Sequence, residues 1–295
     1  MDAILLGELT DILGSMSSDS DTKHEEIKSL LNTIDANVDS VLAANLNHGS
    51  QEYSAAGTYT WTCPEGVSEI YIIASGASGG GGGGYYGTGG SSYSDYNIGA
   101  SGGAAGGSGA VWYGFISVVQ DTTYSLVVGA GGSAGSGATT KQNTTYDRVD
   151  QSVAAKAGGA GGATKFGDLL LVSGGNGGAA GLEGYSGDKY DYSPSIPSGG
   201  AGGKITIENK KNKYVELYNG TDGGSGKKGA NGGGDYKAAT GGSGGAGTAN
   251  YLGIKGGSGG AAGAPYYSFS SSTYASSING KAGSKGSAGY IKIFW

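Results

Sequence analysis

Residues 175–187 read Gly-Asn-Gly-Gly-Ala-Ala-Gly-Leu-Glu-Gly-Tyr-Ser-Gly, with glycine at every third position. The same period recurs in three further runs: Gly223, Gly226, Gly229 and Gly232; Gly241, Gly244 and Gly247; and Gly280, Gly283, Gly286 and Gly289. An extended left-handed helix has three residues per turn, so each run lines one edge with glycine, where another chain segment can approach closely. Because such helices form no internal hydrogen bonds, the runs predict a bundle of parallel and antiparallel polyglycine helices bonded to one another. The paired glycines of residues 199–203 offer two such edges, which predicts a place in the bundle interior.

The composition argues against the two ordinary uses of glycine. The chain has 66 glycines among 295 residues but only 4 prolines, which excludes a collagen triple helix. A flexible linker needs neither a three-residue period nor interleaved segments rich in Tyr, Val and Ile. The glycines therefore indicate a folded domain whose stability rests on hydrogen bonds and close packing.

Short β-patterned segments separate the glycine runs. The strand predictions are Thr58–Cys63, Ile70–Ala74, Ala110–Val119, Tyr124–Val128, Asp168–Val172, Lys204–Glu208, Lys213–Tyr218 and Tyr290–Trp295. The turn Pro64-Glu65-Gly66 makes Ile70–Ala74 the return strand of Thr58–Cys63, and its nearly continuous apolar character indicates burial. Residues 209–212 are predicted to close a hairpin between the strands that flank them. The polar residues of Asn47–Ser54 predict a hinge.

The N-terminal region has helical rather than β periodicity. Thr22 and Glu25 form a capping box that opens a helix to about Asn45. Its apolar residues alternate steps of four and three along the chain: Ile27, Leu31, Ile34, Val38 and Val41. β-branched residues at the d positions favour three or four strands over two, so we expect a trimeric coiled coil. The alternative is a single amphipathic helix that lies on its own domain.

The first residues form a separate amphipathic helix that ends at Gly14. Its apolar stripe is Leu5, Leu9, Ile12 and Leu13, which suits docking to another protein. The predicted organisation is thus a docking helix in residues 1–14, a short coiled coil and hinge in residues 15–50, and a glycine-rich domain in residues 51–295. The fold class is mainly β with polyglycine II helices and an N-terminal α-helical coiled-coil segment.

The C-terminal region resembles the glycine-rich domain of bacteriophage tail fibres and fibre-tip adhesins. The matching pieces, in order, are residues 57–67, the strand Ile70–Ala74, the run Gly79–Gly84, residues 124–132, residues 164–167 and the closing residues 289–293. The resemblance implies a β-framed domain with polyglycine helices whose end loops recognise a host-surface saccharide or outer-membrane protein. The chain departs from the family's fibre-tip adhesins by carrying its own heptads, which leaves a monomeric cap and a trimeric fibre both open.

Three tyrosine-rich insertions interrupt the glycine runs and are the candidate receptor-binding loops. Their aromatic residues are Tyr85, Tyr86, Tyr93 and Tyr96; Tyr185, Tyr190 and Tyr192; and Tyr266, Tyr267, Phe269 and Tyr274. Tyrosine mixed with Ser, Asp and Asn suits recognition, because the ring gives rigid contact area and the small polar residues give adaptable hydrogen bonds. The alternative is that these rings cover the bundle or seal a subunit interface. A fourth candidate loop spans Lys141–Asp150, around Arg148.

The sequence offers little for catalysis. His24 and His48 lie in the predicted coil and hinge, so histidine-dependent catalytic and metal sites are poorly supported. Asp188 and Asp191 fit solvated turn residues better than a glycosidase pair. Cys63 continues a strand pattern and reads as a buried, inert thiol. We therefore expect no enzymatic activity, metal or cofactor.

The net charge and the hydropathy of the chain limit the classes of partner that it is expected to bind. A formal net charge of -6 does not fit a nucleic-acid or anionic-membrane binder, and no segment approaches the ~20 apolar residues of a membrane span. The resulting expectation is a virion tail-fibre or fibre-tip protein, extracellular after host lysis, that binds a tail or baseplate protein through its N-terminus and a host receptor through its loops. The alternative is a purely structural virion protein, such as a capsid fibre or fibre connector.

The heptad interpretation predicts the mass of the protein in solution. The full chain should scatter light as a trimer, and a chain lacking residues 1–50 should scatter as a monomer, because the seam that joins the copies is removed. A monomeric full chain would contradict the coiled coil and would favour a cap on another fibre.

Overall fold

The computed structural model describes residues 27–38, 48–86, 100–143, 148–182, 197–203, 205–206, 213–229, 243–263, 267–268, 273–274 and 279–295. The chain divides into two compact units, Met1–His48 and Gly49–Trp295. The first contributes one short helix to the described residues, and the second is mainly β.

The described helix spans residues 27–38 and lies inside the predicted Thr22–Asn45 helix. Within this helix, Thr33 Oγ1 donates a hydrogen bond of 2.9 Å to the carbonyl of Ser29, four residues earlier. Of its four heptad residues, Ile27, Leu31 and Val38 are half-buried and Ile34 is exposed. Val41 and the docking residues Leu5, Leu9, Ile12 and Leu13 lie outside the described residues. Assembly of this helix into a coiled coil stays a prediction.

The second unit contains the strands β1 Ser50–Tyr53, β2 Gly57–Thr62, β3 Glu69–Ser75, β4 Val111–Ser117, β5 Thr123–Val128, β6 Thr139–Asn143, β7 Arg148–Val153, β8 Thr164–Phe166, β9 Leu170–Val172, β10 Ile205–Thr206, β11 Lys213–Tyr218, β12 Tyr267–Ser268, β13 Thr273–Tyr274 and β14 Tyr290–Phe294. Sheet A has the order β1-β14-β3-β4-β11 and sheet B the order β10-β9-β8-β5-β2, with every pairing antiparallel. Two small sheets pair β6 with β7 and β12 with β13. Each of the eight predicted strands overlaps a strand of the structure.

Two predicted hairpins are wrong, although their strands are correct. β2 pairs with β5 in sheet B, whereas β3 pairs with β4 and β14 in sheet A. The turn at Pro64, closed by the Val67 N–H on the Pro64 carbonyl, therefore carries the chain from one sheet to the other. In the same way β10 pairs with β9 and β11 pairs with β4. β2 and β3 both have apolar residues to bury, and separate sheets let them cover opposite sides of one core.

The predicted polar hinge Asn47–Ser54 is also corrected. Residues 50–53 form β1, which pairs with β14 in the register Ser50 to Phe294 and Tyr53 to Ile291. Only Tyr53 of this strand is buried, which explains why its sequence looks like a loop. The backbone of Gly49 extends the ladder by exchanging hydrogen bonds of 2.9 and 3.0 Å with Trp295.

The inward faces of the two sheets meet in one hydrophobic core. Sheet A and its extensions supply Tyr53, Ile70, Ile72, Ala74, Ala110, Trp112, Ile116, Val118, Ile291 and Ile293; sheet B and its extensions supply Trp61, Cys63, Leu126, Val128, Phe166, Leu170 and Val172. Trp61 packs against other aromatic rings, with its ring centroid 5.6 Å from that of Trp295 and 6.0 Å from that of Phe166. Alternate residues of each strand point inward, as expected for a sandwich.

Beyond the sandwich, the glycine-rich segments lie side by side in a hydrogen-bonded group, here called the glycine array. Its ten segments are residues 76–86, 100–110, 129–138, 154–163, 173–182, 197–203, 219–229, 243–248, 255–263 and 279–289, joined by backbone N–H to C=O bonds between segments. Most of them continue a strand of the sandwich directly. Residues 76–86 follow β3, for example, and residues 279–289 lead into β14.

The segment 76–85 is enclosed by six others. Successive N–H groups donate in rotation to residues 101–110, residues 156–162 and residues 281–287, at 2.9–3.2 Å. Its carbonyls from Ala77 to Tyr85 accept, again in rotation, from residues 132–138, 175–181 and 257–263 at 2.8–3.0 Å. Such a backbone forms no hydrogen bonds within its own segment. The neighbouring segments must therefore supply the partners of its buried N–H and carbonyl groups.

A second inner segment, residues 101–110, has the same environment. It bonds to segment 76–86 and to five outer segments, namely those at 173–182, 197–203, 219–229, 243–248 and 255–263. The eight outer segments also bond to one another in a closed ring. The prediction that residues 199–203 lie in the interior is therefore wrong, because this segment is part of the ring. The interior instead holds Gly79–Gly84, where glycine at every position lets the neighbouring segments approach from all sides.

Serine side chains strengthen the contact between inner and outer segments. The Ser78 N–H donates to the carbonyl of Ser287 at 3.0 Å, and the Ser287 N–H donates back to Ser78 Oγ at 2.7 Å. Ser108 forms the same reciprocal pair with Thr221. A hydroxyl thus replaces a backbone carbonyl as the acceptor at these points.

One buried asparagine joins the array to the sandwich. The Asn250 Nδ2 group donates to Ser75 Oγ at 2.9 Å and to the carbonyl of Gly109 at 3.1 Å, where β3 ends and β4 is about to begin. Its Oδ1 accepts from the N–H groups of Leu252 and Ile254 at 3.0 Å. All the polar atoms of this amide are used, so it fixes the turn between two array segments against the last residues of the sheet.

The close spacing of the array makes a specific prediction at Gly80. A Cβ at this position would overlap the backbone carbonyl of Ser133, and backbone cannot rotate away. We expect Gly80→Ala to lower the free energy of unfolding by about 3 kcal/mol or to prevent folding, as overpacking does in tight interiors. Urea unfolding followed by tryptophan fluorescence measures the change.

The matched control is Gly57→Ala. The nearest atom to a Cβ at Gly57 belongs to the mobile end of the Tyr59 side chain, 3.3 Å away. Its unfolding midpoint should stay near that of the parent chain. Equal midpoints for the two variants would contradict the argument that backbone contact fixes glycine in the array.

Candidate recognition surface

The chain directions within the array bring several connections to one end. Residues 132, 135 and 138 donate to residues 78, 81 and 84, so segments 129–138 and 76–86 run parallel. Residues 107, 104 and 101 accept from residues 79, 82 and 85, so segment 100–110 returns antiparallel. The same relations hold around the ring. Five segments therefore run away from the sandwich and five run back towards it.

Five connections consequently begin and end at the far end of the array, here called the distal end. They are residues 87–99, 139–153, 183–196, 230–242 and 264–278. The predicted tyrosine-rich insertions belong to the first, third and fifth, and the Lys141–Asp150 candidate belongs to the second. The array thus gathers connections that are far apart in sequence, which the sequence did not reveal.

The described residues cover only part of these candidates. Tyr93, Tyr96, Tyr185, Tyr190, Tyr192, Tyr266 and Phe269 lie outside them. Tyr267 and Tyr274 are cross-strand partners in β12 and β13. Arg148 pairs with Asn143 at the start of β7, so most of the predicted Lys141–Asp150 loop is a two-stranded sheet whose connection, residues 144–147, is not described.

Tyr85 and Tyr86 occupy the end of the inner segment and are buried. Their rings stack with centroids 4.6 Å apart and planes inclined by 25°. They pack with Ala100 and Ala138 in a second hydrophobic cluster, separate from the sandwich core. These two rings match the alternative left open by the sequence, in which aromatic residues cover the bundle, and they are not part of the proposed contact surface.

The flanks of the array carry a positive charge. Its described segments hold six exposed lysines, Lys156, Lys227, Lys228, Lys255, Lys281 and Lys285, and one acidic residue, Asp222. Asp222 Oδ1 accepts from the Gly202 N–H at 2.8 Å. Residues 1–48 contain nine acidic and two basic residues, so the net negative charge of the chain belongs to the N-terminal unit.

The catalytic residue types are sparse in the structure. No group of three or more His, Cys, Asp or Glu residues in the described part of the chain could hold a metal ion. Cys63 is buried, and its Sγ lies 3.3 Å from the carbonyl of Val67. Burial, reinforced by the nearby charge of Asp121, raises the pKa of this thiol, which opposes nucleophilic or metal-binding use. Within the described ranges, no helix has the length and apolar character to cross a membrane.

The stacked pair at the distal end yields a stability prediction. Tyr86→Ala should lower the free energy of unfolding by about 3 kcal/mol, because it removes a buried ring that covers the last turns of the array. Tyr86→Phe keeps the ring and should lose less. Thermal unfolding of both variants makes the comparison, and equal losses would show that the hydroxyl rather than the stacking matters.

No protein-family model matches the chain, and no curated protein matches it. The assignment of function therefore depends on the fold and on the geometry of the distal end.

Proposed function

We propose that the protein is a bacteriophage virion fibre protein, a tail fibre or fibre tip, that attaches through its N-terminus and presents distal loops to the host surface. The observation that carries the proposal is the shared end of five connections, held by a hydrogen-bonded array. Recognition sites are commonly variable loops on a rigid scaffold. Loops that meet at one end of such a scaffold can act on a receptor together.

In this proposal the ten array segments are polyglycine II helices. The three-residue rotation of donors and acceptors in residues 76–85 supports this. So does the backbone conformation, because the positive-φ glycines of the described chain are Gly66, Gly167 and Gly253, none of which lies in an array segment. An extended left-handed helix with three residues per turn has negative φ, so the φ angles of the described array segments agree with this helix type.

The N-terminal unit serves assembly in this proposal. The helix at residues 27–38 carries four of the five heptad residues on one stripe, and it supports a homotrimer. Residues 1–14 dock to a tail or baseplate protein. The acidic character of residues 1–48 favours a basic partner surface for that contact.

A structural virion protein without receptor binding is the second candidate. The burial of Tyr85 and Tyr86 favours it, since two of the tyrosines expected at the receptor instead stabilise the array. The two functions differ in what the remaining loop tyrosines do.

The test replaces Tyr190, Tyr192, Tyr266 and Tyr267 together with Ala in phage particles. Adsorption to the host should fall at least about tenfold, because removal of several aromatic contacts at ~1–2 kcal/mol each exceeds one decade in affinity. The matched control is Thr58→Ala with Thr60→Ala, two exposed residues of β2, which should adsorb like the parent.

Intact folding with unchanged adsorption would leave the structural candidate. Release of oligosaccharide from purified host envelope by the isolated protein would instead indicate a depolymerase. Folding is checked on the same particles by thermal unfolding, so that loss of adsorption is not confused with loss of the protein.

A further inference from the structure

Two outer segments of the array, residues 129–138 and 197–203, have the same bonding environment. Each runs parallel to an inner segment, donates to it with every third N–H group, and accepts hydrogen bonds from both of its neighbours in the ring. Gly132 of the first segment and Gly200 of the second hold equivalent places, because each donates to the inner segment while its carbonyl accepts from a ring neighbour. The two segments can therefore be compared position by position.

In the second segment the chain itself supplies an anion to a backbone N–H group. Gly202, two residues after Gly200, donates to Asp222 Oδ1 at 2.8 Å. Asp222 directly precedes Gly223, whose N–H donates to the carbonyl of Gly200. A carboxylate is a strong acceptor for an N–H group, so this position of the segment suits negative charge.

In the first segment the equivalent N–H groups have no such acceptor in the described part of the chain. Ala134 lies two residues after Gly132 and is the counterpart of Gly202. Gly131 and Gly137 hold the same place one period earlier and one period later. The N–H groups of these three half-buried residues form no hydrogen bond with a described residue. They are spaced by about 9 Å along the extended backbone and are here called the amide row.

A lysine stands where the second segment has its carboxylate. Lys285 directly precedes Gly286, whose N–H donates to the carbonyl of Gly132. It therefore holds the position that Asp222 holds beside the second segment. The same place in the two halves of the ring thus carries opposite charge.

Both neighbours of the amide row are basic, and the three segments together are here called the basic flank. Lys281 and Lys285 lie on one neighbour, residues 279–289, and Lys156 lies on the other, residues 154–163. The three lysines are exposed, and none forms an ion pair with a described residue. The three segments contain no acidic residue. Aligned N–H groups and ammonium groups both stabilise anions, so the basic flank is suited to a negatively charged partner.

The side chains of the basic flank favour one class of anionic partner. They are mainly those of Gly, Ala and Ser, with no aromatic, arginine or large aliphatic residue. Single-stranded nucleic acid is held by aromatic rings on which its bases stack, and a membrane surface by apolar groups that insert. A polysaccharide needs neither, because its hydroxyl groups bond to hydroxyl and backbone groups. Ser133 and Ser136 are exposed between the two basic neighbours.

The spacing of the amide row favours a polymer over a single ion. Its N–H groups repeat at about 9 Å, which is close to the length of a disaccharide. In an extended polymer of uronic acids, alternate sugars present their carboxylates on the same side. Successive carboxylates can therefore meet successive N–H groups, as Asp222 meets Gly202 within the chain.

We propose that the basic flank binds a linear polysaccharide of uronic acids, with its carboxylates on the amide row and beside the flanking lysines. The inference goes beyond the proposed function, because it concerns the side of the array and not the distal loops. The two sites can be tested separately. The variant that lacks the four loop tyrosines keeps the basic flank and should still bind the polymer.

Titration calorimetry of the full chain with polygalacturonate tests the binding. The matched control is the same polymer with its carboxylates methyl-esterified, which keeps the sugar backbone and removes the charge. The acidic polymer should bind and the ester should not. Affinity should fall as salt is added, because the contact is largely electrostatic and exposed.

A pair of exposed lysines tests the position of the site. Lys156→Gln with Lys285→Gln should weaken binding several-fold, because it removes a cation from each neighbour of the amide row. Lys165→Gln with Lys227→Gln removes the same charge from sheet B and from another outer segment. This control variant should bind like the parent chain, and thermal unfolding of both variants checks that they fold.

The amide row has a readout of its own. In nitrogen-15 spectra of the full chain, trigalacturonate should shift the amide signals of Gly131, Ala134 and Gly137. The signal of Gly202 should stay in place, since its N–H is already bonded to Asp222. Lys285→Asp places a carboxylate where Asp222 stands beside the second segment, so it should weaken binding more than Lys285→Gln does.

Three results would overturn the proposal. The first is an absence of binding to polygalacturonate, or equal binding of its methyl ester. The second is an equal loss in the two double-lysine variants, which would indicate attraction by overall charge without a site. The third is tighter binding of oligothymidylate than of polygalacturonate, which would assign the basic flank to nucleic acid.

Discussion

Backbone hydrogen bonding between segments, rather than within them, is the constraint on which the rest of the structure depends. Residues 77–85 make no backbone hydrogen bond to one another, so each N–H and carbonyl of this stretch finds an acceptor or donor on one of six surrounding segments. That requirement explains the glycines, because a side chain at most of these positions would push neighbouring backbones beyond hydrogen-bonding distance. It also explains the sandwich, whose strands hold the first residues of the segments at the correct spacing and direction.

Much of this architecture is readable from the sequence, and the failures have a common cause. Alternating and apolar residue patterns located eight of the fourteen described strands, and glycine at every third position located four of the ten array segments, because both patterns reflect local geometry. Pairing was harder. β2 with β3 and β10 with β11 are close in sequence and look like hairpins, yet the strands of each pair lie in different sheets. For β2 and β3, this division lets both strands contribute apolar residues to opposite sides of the core. The sequence of the edge strand β1 looks like a loop, since only Tyr53 is buried in it.

The candidate site shows the same limit. Tyrosine-rich insertions were recognisable by composition, but composition could not show that Tyr85 and Tyr86 are buried at the end of the inner segment. The nearly continuous apolar sequence of β3 predicted burial, but Tyr71 and Ile73 are only half-buried on the outer face of sheet A. Period-two patterns report that a face is apolar, whereas the identity of the covering surface depends on tertiary and quaternary contacts that no single strand encodes.

The position of β14 has a consequence for biosynthesis. This strand lies between β1 and β3, and the segment that precedes it, residues 279–289, accepts hydrogen bonds from residues 78, 81 and 84. Neither sheet A nor the inner segment can be completed while the nascent chain is shorter than this. Contacts between residues some two hundred positions apart make folding slow. A chain without residues 279–294 therefore leaves the N–H groups of residues 78, 81 and 84 without their acceptors, and sheet A without the strand that joins β1 to β3.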